Sequence, residues 1–114
     1  MKVLLIGYGA IAQEVLKHIQ PSEDAEIAAI LVRPGRVDEV RDAVAARGIE
    51  VVSSFDALGV MPDLVAECAG HEGVRAYGAE ALRRGMDFLV ISIGALADAE
   101  LYAGLVAAAK QGGA

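Results

Sequence analysis

The sequence predicts one α/β domain built on a parallel, doubly wound sheet. Short aliphatic segments alternate with amphipathic segments along the 114 residues. Hydrophobic residues make up 55% of the chain but aromatic residues only 4%, and this composition is typical of a parallel sheet buried on both faces. A glycine-rich turn directly follows the first aliphatic segment. Because the length suits a single domain, we expect residues 1–114 to form one unit.

Five segments are predicted to be buried strands, since each is short, aliphatic and bounded by turn residues. Parallel strands need crossover connections, and the intervening segments have helical spacing. With right-handed crossovers, the result is a three-layer α/β/α arrangement of about five strands. The predicted strands are Lys2–Ile6, Glu26–Val32, Ile49–Val52, Leu64–Glu67 and Phe88–Ile93.

Helices are predicted between these strands from apolar residues at helical spacing. Pro21, Gly48 and Gly85 are expected to end the first three helices, and Asp98 to cap the last. Ser54 is expected to cap a short helical turn through Phe55 and Leu58. The apolar faces are Ile11, Val15 and Ile19 with Ala12 and Leu16; Val37, Val40 and Val44; Val74, Tyr77, Ala81 and Leu82; and Leu101, Leu105 and Val106.

Charge and hydropathy exclude several classes of protein. The mean hydropathy is high, at +0.46, but uninterrupted apolar stretches reach only about ten residues, whereas a spanning helix needs about 20. We therefore expect no membrane association, and no secretory signal is visible. The net charge of −6 argues against a nucleic-acid partner. The single cysteine, Cys68, excludes an internal disulfide and favours a cytoplasmic location.

The turn after the first strand has the pattern G-x-G-x-x-A, which is typical of dinucleotide-binding (Rossmann-like) folds. Gly7 permits the tight turn, Gly9 lets the backbone approach a diphosphate, and Ala12 allows close packing of helix on strand. The diphosphate would lie on free N–H groups at the helix N-terminus. A purely structural glycine turn is the alternative. The predicted contact residues are Gly7, Tyr8, Gly9, Ala10, Ile11 and Ala12.

The end of the second strand carries Arg33 and Pro34 where an NAD-preferring site usually has an acidic residue. An arginine can bind the 2′-phosphate of NADP with its planar fork of donors. We therefore predict NAD or NADP as cofactor, with NADP accepted through Arg33. The alternative is that the arginines of this loop are simply solvated.

Small residues follow the fourth and fifth strands, at the sheet edge where ligands of doubly wound folds collect. We expect them to accommodate the nicotinamide half of the cofactor. Catalysis by a Cys68 nucleophile with a His71 base is the less favoured alternative, because a lone cysteine in a strand is usually a core residue. No metal-ligand spacing is present. The candidate residues are Cys68, Ala69, Gly70, His71, Ser92, Gly94 and Ala95.

Three segments together resemble the L-aspartate dehydrogenase family: Lys2–Ala12, Glu67–His71 and Ser92–Asp98. The first is shared with many dehydrogenases, whereas the other two, in this order and spacing, are more specific. The resemblance covers essentially the whole chain, as the N-terminal cofactor domain of that family.

The resemblance implies NAD(P)-dependent conversion of L-aspartate to iminoaspartate, which hydrolyses to oxaloacetate and ammonia or supplies NAD biosynthesis. It also implies a homodimer, and a second α+β domain that carries the catalytic histidine. No residue of this chain corresponds to that histidine, so we expect a part of a longer enzyme that is inactive alone. The residues implied to touch the cofactor are Gly7, Gly9, Ala10, Ile11, Ala69, Gly70, His71 and Ala95.

Other functions stay open at this point. The chain could be the cofactor domain of a homoserine dehydrogenase or dihydrodipicolinate reductase relative, since these are also two-domain enzymes. It could instead be a non-catalytic module that senses NAD, or a scaffold whose glycine turn binds nothing.

Overall fold

Five parallel strands form one sheet in the order β3-β2-β1-β4-β5 in a computed structural model, which describes residues 1–19 and 24–114. The chain runs outward from the central strand β1 to β3, then returns to place β4 on the other side of β1. This reversal puts helices on both faces, as predicted. The strands are β1 Lys2–Ile6, β2 Glu26–Leu31, β3 Glu50–Val52, β4 Leu64–Glu67 and β5 Asp87–Val90.

Four α-helices connect or follow the strands, together with short 3-10 turns. None of the helices in the described ranges is long and apolar enough to cross a membrane. The helices are α1 Ala10–His18, α2 Val37–Ala43, α3 His71–Arg83 and α4 Ala99–Gly112; the 3-10 turns are Pro34–Arg36, Ala45–Arg47, Phe55–Ala57 and Ile93–Ala97.

The core lies in two layers, one on each face of the sheet. Alternate residues of β1 divide between them, because successive side chains of a strand point to opposite faces. Leu5 packs with Leu16 of α1 on one face, while Leu4 packs with Val65 and Ala81 on the other. A third cluster, around Val74, Ala95 and Leu105, joins α3 to α4.

Four of the predicted strand limits, in three strands, are wrong. β2 ends at Leu31 and not Val32, and β3 begins at Glu50 and not Ile49. β5 covers Asp87–Val90 and not Phe88–Ile93. The physical reason for the short β5 is that the backbone N–H of Ser92 donates to the Glu67 side chain and not to a carbonyl of β4.

The helix predictions are largely confirmed, with four corrections, of which the last concerns Gly48 and follows below. Ile11 is 50% exposed, and the residues that α1 buries are Ala12 and Leu16. Val106 of α4 is also exposed, at 38%. Ser54 precedes the turn Phe55–Ala57, but its hydroxyl makes no capping hydrogen bond. The predicted stop at Pro21 lies outside the described residues.

The predicted end at Gly85 is confirmed, since this residue follows the last turn of α3 with a φ of +84°. Gly48 does not end α2, which ends at Ala43; it follows the 3-10 turn Ala45–Arg47 instead, with a φ of +68°. Asp98 caps α4 as predicted: its Oδ1 accepts hydrogen bonds from the N–H groups of Glu100 and Leu101. These bonds lower the pKa of Asp98, the bond from Leu101 most strongly and the Arg75 side chain next.

Helices α3 and α4 approach closely because Gly78 has no side chain. A Cβ at this position would lie 2.8 Å from Cδ2 of Leu105 and 3.1 Å from Cε2 of Phe88. A Cβ added at Gly104, on α4, would have no atom within 4 Å. The two glycines therefore differ in packing although both lie inside helices.

We expect Gly78→Ala to lower the free energy of unfolding by about 1–3 kcal/mol, because an added methyl group overpacks a filled site. Gly104→Ala is the matched control and should raise the free energy by about 0.5–1 kcal/mol, since alanine favours a helix. Urea unfolding of both variants measures the difference. Equal effects of the two substitutions would contradict the packing described here.

Candidate functional site

A pocket of about 570 Å³ opens at the sheet edge where β1, β2 and β4 end. Its volume lies within the range of about 300–1,000 Å³ that is common for ligand sites. The edge is the point where the strand order reverses, between β1 and β4, and ligands of open α/β sheets bind at such points. The lining residues are Ile6, Gly7, Tyr8, Gly9, Leu31, Val32, Arg33, Arg36, Cys68, Ala69, Glu72, Gly73, Ala76 and Tyr77.

The turn between β1 and α1 forms one wall of this pocket. Gly7 has a φ of +96°, and a Cβ there would lie 3.0 Å from Cβ of Ala69. Its N–H donates to the Leu31 carbonyl at 2.8 Å, so the turn is held between β2 and β4. Only glycine satisfies both the conformation and the close approach.

Gly9 lies at the N-terminus of α1 and is exposed. No atom approaches within 4 Å of the place where its Cβ would be. No side chain caps the helix, and its first turn carries no acidic residue. The free N–H groups of this first turn therefore face an open space that an anion can occupy.

Two arginines lie where β2 ends. Arg33 is exposed, and its side chain makes no hydrogen bond or ion pair with the described residues. Arg36 is held by Glu39, whose Oε1 accepts from its Nε at 2.7 Å. The pocket thus has positive charge at this end, whereas Glu72 of α3 lies on its opposite wall.

Cys68 follows β4 and is 7% exposed. Burial, and to a lesser degree the neighbouring carboxylate of Glu67, raise the pKa of its thiol from 9.0 to about 11. The thiol is therefore protonated at neutral pH, which does not suit a nucleophile. Cys68 belongs to the core and also borders the pocket.

The start of α3 lies against the turn after β5. A Cβ on Gly94 would come within 3.0 Å of Nε2 of His71, so the imidazole packs over Gly94. On the same side, Ser92 donates to Glu67 through both its N–H, at 3.3 Å, and its Oγ, at 2.8 Å. The segments after β4 and β5 are therefore joined by His71 and by Glu67.

The structure brings only part of the predicted set to the pocket. Gly7, Tyr8, Gly9, Arg33, Cys68 and Ala69 line it. Ala12 and Ala95 are at most 1% exposed, so their side chains take part in packing. The predicted residues that do not line the pocket are Ala10, Ile11, Ala12, Pro34, Gly70, His71, Ser92, Gly94 and Ala95.

Several lining residues were not predicted as site residues. Glu72, Gly73, Ala76 and Tyr77 form one face of α3. Their spacing was visible in the sequence, but it indicated only a helix packed on the core, and Tyr77 does pack there in part. Arg36 was also missed, although it stands three residues after Arg33.

Residues 1–19 and 24–114 contain no group of three or more His, Cys, Asp or Glu side chains that could hold a metal ion. His18, the second histidine, lies on the surface with its side chain 78% exposed, 3.5 Å from Glu14. The polar groups at the pocket are the backbone N–H groups of the glycine turn, the two arginines and Glu72.

We expect iodoacetamide to alkylate Cys68 about 100-fold more slowly in the native protein than in urea at pH 8. The pKa of about 11 against 9.0 accounts for that factor through the thiolate population. The native rate should rise with pH towards 11, because the thiol is protonated below this value. Mass spectrometry at timed intervals measures both rates. Equal rates in the native and unfolded protein would contradict the raised pKa.

The comparisons with known proteins agree with this geometry. The family model described as homoserine dehydrogenase, NAD binding domain, matches residues 7–114. An L-aspartate dehydrogenase of Ruegeria pomeroyi is 42% identical over 99% of this chain and 39% of its own length. Those of Ralstonia nicotianae and Pseudomonas aeruginosa are 37% and 36% identical, over 98% and 99% of this chain and 42% and 43% of their own.

This chain spans about two fifths of the length of the curated relatives it matches. The predicted resemblance to L-aspartate dehydrogenases is confirmed by these relatives, and the predicted cofactor, NAD or NADP, by the family model. With the parallel sheet and the glycine turn described above, the chain belongs to the family of the homoserine dehydrogenase NAD-binding domain.

Proposed function

We propose that residues 1–114 are the cofactor-binding part of an L-aspartate dehydrogenase. The reaction transfers hydride from L-aspartate to NAD(P) and gives iminoaspartate, which hydrolyses to oxaloacetate and ammonia. The observation that carries the proposal is the pocket at the strand reversal, with its open space beside Gly9. The names of the relatives support aspartate as the substrate.

The residues present fit a dinucleotide. A Cβ at Gly9 would project into open space next to uncapped N–H groups, and the diphosphate would be held there. The turn from Gly7 to Ala12 supplies these groups without a basic side chain. When bound, the cofactor supplies hydride transfer, and the protein's part is to bind and orient it.

Arg33, Pro34 and Arg36 are proposed to bind the adenosine end of the cofactor. The two arginines line the pocket at the end of β2, and Arg33 has no partner among the described residues. A guanidinium with free donors can bind a 2′-phosphate in bidentate geometry. This arrangement supports the use of NADP beside NAD.

The segments after β4 and β5 are proposed to face the nicotinamide half. Ala69 and Cys68 line the pocket, and His71 packs over Gly94 at the same edge. The proposed contacts here are Cys68, Ala69, Gly70, His71, Ser92, Gly94 and Ala95, and those at the glycine turn are Gly7, Tyr8, Gly9, Ala10, Ile11 and Ala12.

The acid–base groups are proposed to come from residues outside these 114. Cys68 is a neutral thiol at pH 7 because its pKa is raised, and Glu72 is the single acidic residue that lines the pocket. The greater length of the relatives supports a further region that binds the substrate. We also propose a cytoplasmic homodimer; the buried, unpaired Cys68 supports a reducing location.

Homoserine dehydrogenase is the second candidate, because the matching family model carries that description. The two candidates differ in substrate and not in cofactor. Activity assays of a longer form of the protein, with aspartate and with homoserine as the substrate, would distinguish the two candidates.

We expect the 114-residue chain to bind NADH but to oxidise no aspartate, because it supplies no acid–base pair at the pocket. Calorimetry measures binding, and absorbance at the reduced nicotinamide band measures turnover. Absence of binding would contradict the proposed cofactor role. Turnover comparable with that of a full-length enzyme would contradict the proposal that the acid–base groups come from residues outside these 114.

Gly9→Ala should weaken NADH binding at least about tenfold, since its methyl group would occupy the space proposed for the diphosphate. The melting temperature should stay near that of the unchanged protein, because no atom lies within 4 Å of the new Cβ. Gly104→Ala, which is equally uncrowded but distant in the chain, should leave binding unchanged. Undiminished binding in Gly9→Ala would place the diphosphate elsewhere.

Arg33→Ala should weaken NADP binding by about tenfold and NAD binding much less, because only NADP carries the 2′-phosphate. Dissociation constants for the two cofactors measure the difference. Lys17→Ala, on the exposed side of α1, removes a positive charge away from the pocket and should affect neither. Unchanged NADP affinity in Arg33→Ala would leave the arginine without a role in cofactor choice.

A further inference from the structure

Among the described residues, Glu67 is the one residue with an ionisable acidic or basic side chain that is fully buried. Its side chain is 0% exposed. It is the last residue of β4, beside Ile6 of β1 on one side and Val90 of β5 on the other. It therefore lies at the strand reversal, directly under the edge where the pocket opens, yet none of the proposed functions above uses it.

One oxygen of the Glu67 side chain binds Ser92, just beyond the end of β5. Oε1 accepts hydrogen bonds from the N–H of Ser92 at 3.3 Å and from its Oγ at 2.8 Å. The β4–β5 ladder runs only as far as the Glu67–Val90 pair. After Ser92 the chain forms the 3-10 turn Ile93–Ala97.

The turn that Glu67 holds is also fixed at two other points. His71 packs over Gly94, and Ala95 is buried in the cluster between α3 and α4. Among the described residues, β5 pairs with β4 alone. The Glu67–Ser92 bonds link this turn to β4.

The second side-chain oxygen of Glu67 indicates that the Glu67–Ser92 link has a cost in free energy. Oε2 is buried and has no hydrogen-bond partner. Burial of an incompletely paired carboxylate is expensive, and a neutral side chain could join β4 to the turn without this cost. Burial and, to a lesser degree, Glu67 raise the pKa of the adjacent Cys68 thiol, and Cys68 borders the pocket.

We propose that Glu67 is a positioning residue for the nicotinamide ring of the cofactor, which it serves by holding the Ser92–Ala97 turn through Ser92. The inference rests on the proposed function, since it assumes that this turn faces the nicotinamide ring. Glu67 itself is fully buried and touches no ligand. The adenosine half and the diphosphate lie at other elements and do not depend on it.

The test compares NADH with ADP-ribose, which lacks the nicotinamide ring and keeps the rest of the cofactor, including the ribose that carries the ring. Calorimetry gives their dissociation constants for the unchanged protein, Glu67→Gln, Ser92→Ala and the double variant. Nicotinamide fluorescence of bound NADH reports how firmly the ring is held. Asp63→Ala is the matched control, because Asp63 Oδ2 also joins two strands, through the N–H of Lys2 at 2.7 Å, but at the opposite edge of the sheet.

Each single substitution should weaken NADH binding by about three- to tenfold, the effect of one charge-assisted hydrogen bond, and change ADP-ribose binding less than about twofold. Bound NADH should also fluoresce less. The double variant should bind NADH no more weakly than the more affected single variant, because the effects of two residues that act through the same bond do not add. Asp63→Ala should leave the ratio of the two dissociation constants unchanged.

Equal weakening of NADH and ADP-ribose would overturn the proposal, since it would indicate a general structural effect. Unchanged NADH binding, or additive effects in the double variant, would overturn it as well. Ser92→Ala removes a partly exposed hydroxyl and keeps the test available if Glu67→Gln does not fold. An unchanged protein that binds neither ligand would instead refute the proposed cofactor role, and with it this inference.

Discussion

The close packing of Ala69 between two glycines is the constraint on which the pocket depends. A Cβ on Gly7 would lie 3.0 Å from Cβ of Ala69, and one on Gly73 only 2.7 Å from it. The first contact sets how near the β1–α1 turn comes to β4, and the second sets how near α3 comes to the same strand. A side chain at either glycine would push the walls apart, because its Cβ would lie within 3.0 Å of the Ala69 methyl group.

Much of the fold follows from the sequence because the central strands are aliphatic on both faces. β1 and β4 have the predicted limits, since Gly7 ends one and small residues follow the other. The dinucleotide pattern correctly identified the turn that lines the pocket. Binary patterns succeed here because burial and hydrophobicity coincide in the middle of a parallel sheet.

The predictions failed at the end of β5, where a side chain and not a backbone carbonyl accepts the hydrogen bond, and at Tyr77, where only one side of the ring is buried. Ile91 and Ile93 extend the aliphatic run of β5, but they are 37% and 70% exposed, and the strand has already ended at Val90. Glu67 ends it through Ser92, and a contact between residues 25 positions apart leaves no trace in a local pattern. Tyr77 was assigned to the core for a related reason, because helical spacing does not show that one side of the ring borders a cavity.

The charges at the sheet edge explain how an acidic protein can belong to a family that binds an anionic cofactor. The net charge is −6, yet Arg33 and Arg36 lie at the β2 end of the pocket and the diphosphate turn relies on uncharged N–H groups. The lining on the opposite wall is acidic, since Glu72 of α3 lies there. In NADP the 2′-phosphate lies at the adenosine end, the diphosphate in the middle, and the nicotinamide ring, which is cationic when oxidised, at the far end. The charges of the edge therefore support the cofactor orientation proposed above, because a reversed dinucleotide would place its cationic ring beside the arginines.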